Sequence, residues 1–426
     1  MREYACIVIG AGASGLFYAA ADGLSNQGEI RQFNNHKLIL EKTPYPGQKL
    51  LMSGSGQCNL THSGSIKDFV GKYGEKGKRI RGCLYKHSNL ELTFWMESIG
   101  VPLTTRDDGK VFPKSMKARD VLNALLAEAK ENGWTLRCNT EVISMTIVPA
   151  ENGNDPGQAQ IQLQLSDGTE VATSKLVIAT GGASYPTTGS DGTFWGIMNR
   201  DLGLHIVEPR PALAPIYVQD FSYGALAGIS FEHVEVTCNN HVTKGPMLIT
   251  HKGFSGPAIL HTSQYAKAGD SLKINYLPGQ SADVICQKMK ADQPGNKTGL
   301  ANYISSQFGL PKAFANELLA DPQRKLNTMS HKELEHIAHL ITESTYSVSG
   351  TGGWKDAMVT AGGVSLDQID LKTMAVKPEA LAPSPGEGPQ HSWPDIRIIG
   401  EALDINGETG GYNLQFAYSS AMAALK

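Results

Sequence analysis

The stretch "CIVIGAGASGLFYAAADGL" constrains this chain more than any other. An apolar run at residues 5–9 ends directly in Gly10-x-Gly12-x-x-Gly15, and a small-residue helical pattern starts near Ala13. Gly10 permits a tight turn, Gly12 lets a ligand's pyrophosphate approach the backbone, and Gly15 permits close helix–strand packing. The helix start then offers free N–H groups and a partial positive charge. A second apolar run, "HKLILEK" at residues 36–42, carries Glu41 near its end, where a carboxylate can accept from ribose hydroxyls. Glu41 lies farther along than the usual ~20 residues. The polar stretch "SNQGEIRQFNNH" accounts for the excess as a loop between helix and strand. The expectation is a doubly wound α/β domain that holds a dinucleotide.

At 426 residues the chain exceeds one ordinary core, so two or three domains are expected. Its 46 glycines exceed the usual share of roughly 7% and favour tight turns and close ligand approach. A net charge of −3 exerts no global pull toward nucleic acid or anionic membrane. No apolar run approaches the ~20 residues of a membrane span, and the first residues lack the basic leader of a signal peptide. The six cysteines show neither CxxC nor framework spacing, which fits a reducing cytoplasm and gives no metal site.

Helical periodicity from 118 to about 130 stops at Gly133. "TLRCNTEVISMTIV" and "AQIQLQLSDGTEVATSKLVIATGG" read as a β-meander with turns at "ENGNDPG" and "SDGT", whose last strand, 176–180, ends in Gly181 and Gly182. Short strands follow from 205 to 276, interrupted by a helical piece at "SGPAILHTSQYAKA", and helices fill 281–341. "KPEALAPSPGEGPQHSWPD" reads as a mobile surface loop. The expected organisation is a discontinuous dinucleotide domain (1–204 and 365–426), a β-barrel-like insert (205–280 and 342–364) and a helical insert (281–341).

Gly12 and Glu41 do not separate FAD from NAD. Three features favour FAD: a fingerprint at the very start, a meander before the ATGG strand as in glutathione-reductase-like folds, and the terminal "IRIIGEALDINGETGGYNLQFA". There a strand ends at Gly400, Asp404 can reach the ribityl or phosphate region, and Gly410 and Gly411 start a helix. That helix start would face the flavin N1–O2 edge, which gains negative charge on reduction. The two glycine loops would hold opposite ends of one FAD.

"PGQKLLMSGSGQCNLT", "ATGGASYPTTGSDG", "THKGFSGPAIL", "TAGGVSLDQIDLKTM" and the terminal motif resemble the YhiN/BaiN-type bacterial flavoproteins, which include aminoacetone oxidase and a bile-acid-intermediate reductase. The resemblance covers nearly the whole chain. It implies a glutathione-reductase-like FAD-binding Rossmann domain with a β-barrel-like and a small helical insert. It implies noncovalent FAD contacted by Lys42, Lys49, Leu50, the loop of Ser53, Gly54, Gly56, Gln57, Cys58 and Asn59, and Gly181, Gly182, Glu401, Asp404, Gly411, Tyr412, Asn413 and Leu414. Ala13, Ser14, Val142, Thr180 and Gly410 complete the expected cofactor contacts. The family's middle loop is usually GGGRCN, so Gln57 stands where an arginine is expected.

Cys58 has no second thiol at dithiol spacing, since Ser63 stands five residues on. A small buried cysteine beside the flavin is therefore expected instead of a relay. There is no second strand–GxGxxG–helix unit, so NAD(P)H would reduce the flavin only by transient docking. His251 in "THKGFSGPAIL" and Tyr185 beside the glycine pair are the catalytic candidates. The stretch 67–86 carries seven Lys/Arg and reads as a solvated face or as a helix beside the cofactor's phosphates, with nucleic acid a minor alternative. The sequence reading is a cytoplasmic FAD-dependent oxidoreductase that passes hydride through flavin N5 to or from a small organic substrate. Nucleic acid and membrane are not expected as partners. The alternatives are an oxygen-using oxidase of small amines, a flavoprotein acting on or binding RNA, and a non-catalytic redox sensor.

Overall fold

The computed structural model describes residues 1–24, 36–148, 159–381 and 393–426. The polar loop expected before the second strand lies outside the described residues in all but its last position. So do the turn "ENGNDPG" and most of the proline-rich loop. Two compact units divide the chain: Met1–Arg210 with Val359–Lys426, and Pro211–Met358.

In the first unit, β1 (Cys6–Ile9) runs into α1 (Ala13–Ala21), and β2 (Lys37–Leu40) pairs parallel with β1. Next come α2 (Gly77–Lys86), α3 (Ala118–Glu131), β3 (Trp134–Arg137), β4 (Lys175–Ile178), β5 (Ile369–Asp370), β6 (Ala375–Val376), β7 (Asp395–Ile398) and α4 (Tyr412–Ala423). The sheet order is β5-β6-β7-β4-β1-β2-β3. It is parallel from β7 to β3, and only the β5–β6–β7 edge is antiparallel. Nearly every residue of β1, β2 and β4 is buried, as strands covered on both faces must be, which is why they read as unbroken apolar runs. The sheet grows from β1 toward β3 on one side and from β4 toward β7 on the other. The chain order therefore reverses between β1 and β4, the position where doubly wound sheets bind ligands.

Helix α3 buries Val121, Leu122, Leu125 and Ala129 along one face and ends just before Gly133, as its periodicity predicts. Helix α1 packs against α3 and α4, with Phe17 and Tyr418 edge to face at 5.7 Å. The meander comprises Val142–Val148, Gln160–Leu165 and Glu170–Thr173, with Arg2–Tyr4 parallel at its edge. The strand at 176–180, expected as the meander's last, belongs instead to the large sheet as β4, and so does the segment 134–137, as β3. The β3 backbone pairs with β2, and Trp134 is buried.

In the second unit a closed six-stranded barrel runs, in spatial order, Ile216–Val218, Gly253–Ser255, His241–Ile249, Ser230–Cys238, Ser271–Asn275 and Ser344–Thr351. Helices Ala282–Asp292, Leu300–Phe308, Lys312–Leu318 and His331–Thr342 share its core. The Phe314 ring lies 4.9 Å from Phe231 and 4.6 Å from Tyr276. These four helices are therefore packed on the barrel through one continuous apolar cluster.

Candidate functional site

The glycine turn between β1 and α1 shows three different uses of glycine. A Cβ on Gly10 would lie 2.5 Å from the Ala179 carbonyl oxygen and 3.2 Å from the Thr180 Cα, and one on Gly15 would lie 2.0 Å from the Gly10 carbonyl oxygen. Both are demanded by the protein. A Cβ on Gly12 would meet nothing within 4 Å, so this backbone faces open space. Ala13 opens α1, no side chain caps that helix, and its first-turn N–H groups are the donors an anion needs. Ser14 is buried against Gly400, whose added Cβ would sit 2.5 Å from the Ser14 hydroxyl.

Glu41 follows β2. One carboxylate oxygen accepts from the Ala11 N–H (2.9 Å), the other from the Thr43 N–H (2.9 Å) and hydroxyl (2.7 Å). An ionised carboxylate offers about four acceptor positions, so capacity for a ribose hydroxyl remains. Lys42 donates to Asp191 at 2.7 Å, which draws the "GSDG" loop over Glu41. In that loop the Ser190 hydroxyl is buried without a hydrogen-bond partner, and a Cβ on Gly181 would lie 3.1 Å from it. An orphaned buried hydroxyl, an open Gly12 and an uncapped helix start converge on the sheet's switch point. They fit an adenine dinucleotide.

Around Gly182 the structure gathers residues far apart in sequence. Gly47, whose N–H donates to the Ala11 carbonyl, starts the short helix Gln48–Met52. That helix buries Leu50 and delivers Lys49, which donates to the Ser184 hydroxyl and to Glu401, both at 2.6 Å. The other Glu401 oxygen accepts from the Thr360 N–H at 2.8 Å. The Thr360 hydroxyl accepts from the N–H groups of Ala183 (2.8 Å) and Ser184 (3.2 Å). Lys49, Gly182 and Glu401 were legible as candidates, whereas Ser184, Ser190 and Thr360 were missed. The available signal was a hydroxyl residue beside each glycine pair.

Between Ser53 and Asn59 four residues hold positive φ: Gly54 (56°), Ser55 (57°), Gly56 (84°) and Cys58 (62°). Two are not glycine, a conformation that costs about 1–2 kcal/mol each. Successive backbone N–H groups in such a loop form a concave donor surface. The Gln57 side-chain oxygen accepts from Arg106 at 2.7 Å, and that guanidinium stacks 4.0 Å above the Phe112 ring. The positive charge expected at position 57 thus comes from Arg106. Cys58 is fully buried, and burial pushes its thiol up to about 12, against a weaker opposing hydrogen bond from Ser53. A thiol so rarely ionised is no nucleophile, and all six cysteines are free.

The terminal loop differs from expectation. Gly411 does not present an open backbone: its added Cβ would lie 2.6 Å from the Thr61 Cα and carbonyl oxygen. With the Asn59 amide oriented to satisfy its neighbours, its oxygen accepts from the Gly411 N–H at 3.1 Å. The protein therefore claims both the space and the donor that were assigned to the flavin edge. The Tyr412 ring is buried among Phe69 (4.9 Å), His62 (5.7 Å) and Tyr73 (6.4 Å). Asn413 closes the loop on Gly407 with hydrogen bonds of 2.8 and 2.9 Å. Asp404 is ion-paired to Lys76 and accepts from the Gly362 N–H at 2.9 Å. Gly410 has positive φ, and Leu414 is half-buried in the first turn of α4.

Val142 is buried at the head of the meander, two residues after Thr140, whose N–H donates to the Glu41 carbonyl. Tyr185 holds positive φ (56°) at the entry to "PTTG", half-buried. His251 lies in the second unit, exposed on the turn between His241–Ile249 and Gly253–Ser255. Among the described residues no group of three potential ligands is arranged to hold a metal ion. Among them, too, no helix is long and apolar enough to cross a membrane.

A parallel sheet with this glycine turn at its switch point defines a Rossmann-type dinucleotide-binding domain. The chain belongs to the HI0933-like protein Rossmann domain family, which matches residues 4–426. It is an FAD-dependent oxidoreductase. It is 28% identical over 430 residues to the ribosomal RNA dihydrouridine synthase of Escherichia coli (strain K12), covering 99% of this chain and 97% of that one. Its likeness to the ribosomal RNA dihydrouridine synthase of Haemophilus influenzae is 28% over 423 residues, 98% and 96% of the two chains. The 3-dehydro-bile acid delta(4,6)-reductase of Clostridium scindens is 25% identical over 432 residues, 98% and 97%. Among solved structures, a 3-ketosteroid-delta4-(5alpha)-dehydrogenase from Rhodococcus jostii RHA1 is 14% identical, with a TM-score of 0.49 covering 100% of this chain and 97% of that one.

Proposed function

We propose that this protein is a reductase that saturates a carbon–carbon double bond conjugated to a carbonyl, and that its substrate is a uracil ring in RNA. The observation that carries the reading is the end-to-end likeness to two ribosomal RNA dihydrouridine synthases, 96% or more of each chain being covered. The name of the third relative describes reduction of double bonds in a steroid that carries an oxo group. The two names share one chemistry, in which hydride adds to the far carbon of the conjugated system and a proton adds to the near one. This likeness moves RNA ahead of the small organic substrate that composition and charge favoured.

When bound, FAD supplies the hydride from its N5 atom. Gly12 and the start of α1 would hold the pyrophosphate, Glu41 the adenosine ribose, and Ser190 a further polar group of the dinucleotide. The loop 53–59 would flank the flavin end. The Lys49–Glu401–Thr360 network fixes the strand ends on which these groups stand. NAD(P)H is proposed as the reductant, docking transiently, because the sequence offers no second dinucleotide unit.

The test is incubation of the purified protein with NADH or NADPH and transcribed ribosomal RNA, followed by nucleoside mass spectrometry. The reading expects uridine to gain two hydrogens. It is wrong if flavin is reduced but every RNA stays unchanged. Reduction of small enones under those conditions would establish the steroid-like alternative, for which the third relative speaks. Oxygen consumption with amines would establish an oxidase.

A further inference from the structure

The outer face of α2 is charged in a way the dinucleotide site does not use. Its sequence, "GKRIRGCLYK", contains four cations and no acid. Ile80, Cys83 and Leu84 are buried, while Lys78, Arg81, Tyr85 and Lys86 are exposed. At 100° per residue the exposed side chains share one arc of the helix. Of the seven Lys/Arg in 67–86, Lys72 pairs with Glu408 (2.9 Å), Lys76 with Asp404, and Arg79 with Asp367 (2.8 Å). Lys78, Arg81 and Lys86 make no ion pair among the described residues.

The end of this helix gathers Lys86, His87 and Lys426 around a single carboxylate, Glu91, whose oxygen lies 3.7 Å from the His87 Nδ1. Lys86 lies against Lys426 and holds that ammonium below the usual lysine range. His87, next in sequence, is buried with neither ring nitrogen hydrogen-bonded. Burial, then Lys426 and Lys86, push its pKa down to about 4. In the middle of the exposed arc sits Gly82, where an added Cβ would meet nothing within 4 Å. Beside it Tyr85 is 49% exposed.

We propose that the outer face of α2 docks single-stranded RNA, with Lys78, Arg81 and Lys86 on successive phosphates and Tyr85 stacking against a base; the proposal rests on the reading of RNA as substrate. Unpaired cations beside an exposed aromatic ring match what a single strand presents, a charged backbone and bare base faces. An anionic membrane fits less well, because the apolar side of α2 is already buried in the protein and leaves nothing to insert. The segment Val70–Lys76, just before α2, is tied to the terminal loop by Lys72–Glu408, by Lys76–Asp404 and by the Tyr73 hydroxyl on the Tyr412 carbonyl at 2.7 Å.

The test measures fluorescence anisotropy of a labelled uridine-rich single-stranded RNA with the holoprotein across a KCl series. In Lys78→Ala/Arg81→Ala/Lys86→Ala the slope of log Kd against log salt falls by about 2, from three phosphate contacts at roughly 0.7 each. Affinity near ~0.1 M salt weakens about 30–100-fold. Tyr85→Ala weakens binding about tenfold and leaves the slope unchanged. FAD content and thermal midpoint stay at wild-type values in both variants. If the wild type binds and converts RNA but the triple variant keeps its affinity and slope, the docking surface is overturned and the proposed reaction stands. If the variants behave as expected but no uridine is reduced, the surface stands and the reaction fails. Wild-type protein that binds phosphatidylserine vesicles but no RNA overturns the surface as stated.

Discussion

The two glycine loops at opposite ends of the first unit look alike in sequence and do opposite work. At the N-terminal loop, Gly12 faces open space with an ordinary φ of −79°, before a helix start that no side chain caps. At the C-terminal loop, Gly411 has a φ of 94°, its would-be Cβ is blocked by Thr61, and its N–H is taken by Asn59. The first glycine leaves room for a ligand. The second lets a helix close on its own chain. A glycine next to a cofactor loop is therefore not evidence of cofactor contact until its neighbours are known.

Gly411→Val should give the largest effect, and it should fall on folding. A side chain there meets backbone at 2.6 Å in a left-handed conformation, which combines overpacking with dihedral strain, about 3–5 kcal/mol in all. Thermal unfolding of the apoprotein should show the loss without FAD present. An unchanged midpoint with weakened FAD binding would restore a ligand-facing role for this loop.

Glu401→Gln comes next. It removes the charge that joins Lys49, Ser184 and Thr360, in an ion pair about three-quarters buried over two fully buried hydroxyl residues, and should cost about 2 kcal/mol. Chemical denaturation measures that cost. If stability held while FAD affinity fell, Glu401 would belong with Gly12 as a ligand-facing group. Cys58→Ser should be smallest, about 1 kcal/mol for burying a hydroxyl in place of a thiol. Stopped-flow flavin reduction by NAD(P)H should proceed at the wild-type rate, and its abolition with FAD still bound would revive thiol chemistry.

The β1–α1–β2 unit was legible because its signals are local: strands buried on both faces leave unbroken apolar runs, and the glycine spacing spans one turn. Helix α3 was legible for the same reason. The placement of Trp134–Arg137 was not, because four residues specify a strand but not its partner. The Lys49–Glu401 contact joins positions 352 residues apart, and no local pattern encodes it. Arg106 filling the place of the expected arginine at 57 required the Thr61–His62, Lys110–Pro113 and Leu103–Thr105 strands to bring it there. The role of Gly411 was hidden most completely, since the residue that dictates it is Thr61.

The most direct test of this contrast is FAD titration of the apoprotein of Gly12→Val, followed by flavin fluorescence alongside its thermal midpoint. Because Gly12 has ordinary backbone angles and open space around its Cβ position, the fold should tolerate valine within about 0.5 kcal/mol. The new side chain would stand where the pyrophosphate approaches, so FAD affinity should fall about 100-fold, roughly 2.7 kcal/mol. An apoprotein of wild-type stability that has lost its FAD affinity is the predicted result. Wild-type affinity in that variant would contradict the assignment of the N-terminal loop as the face that meets the cofactor.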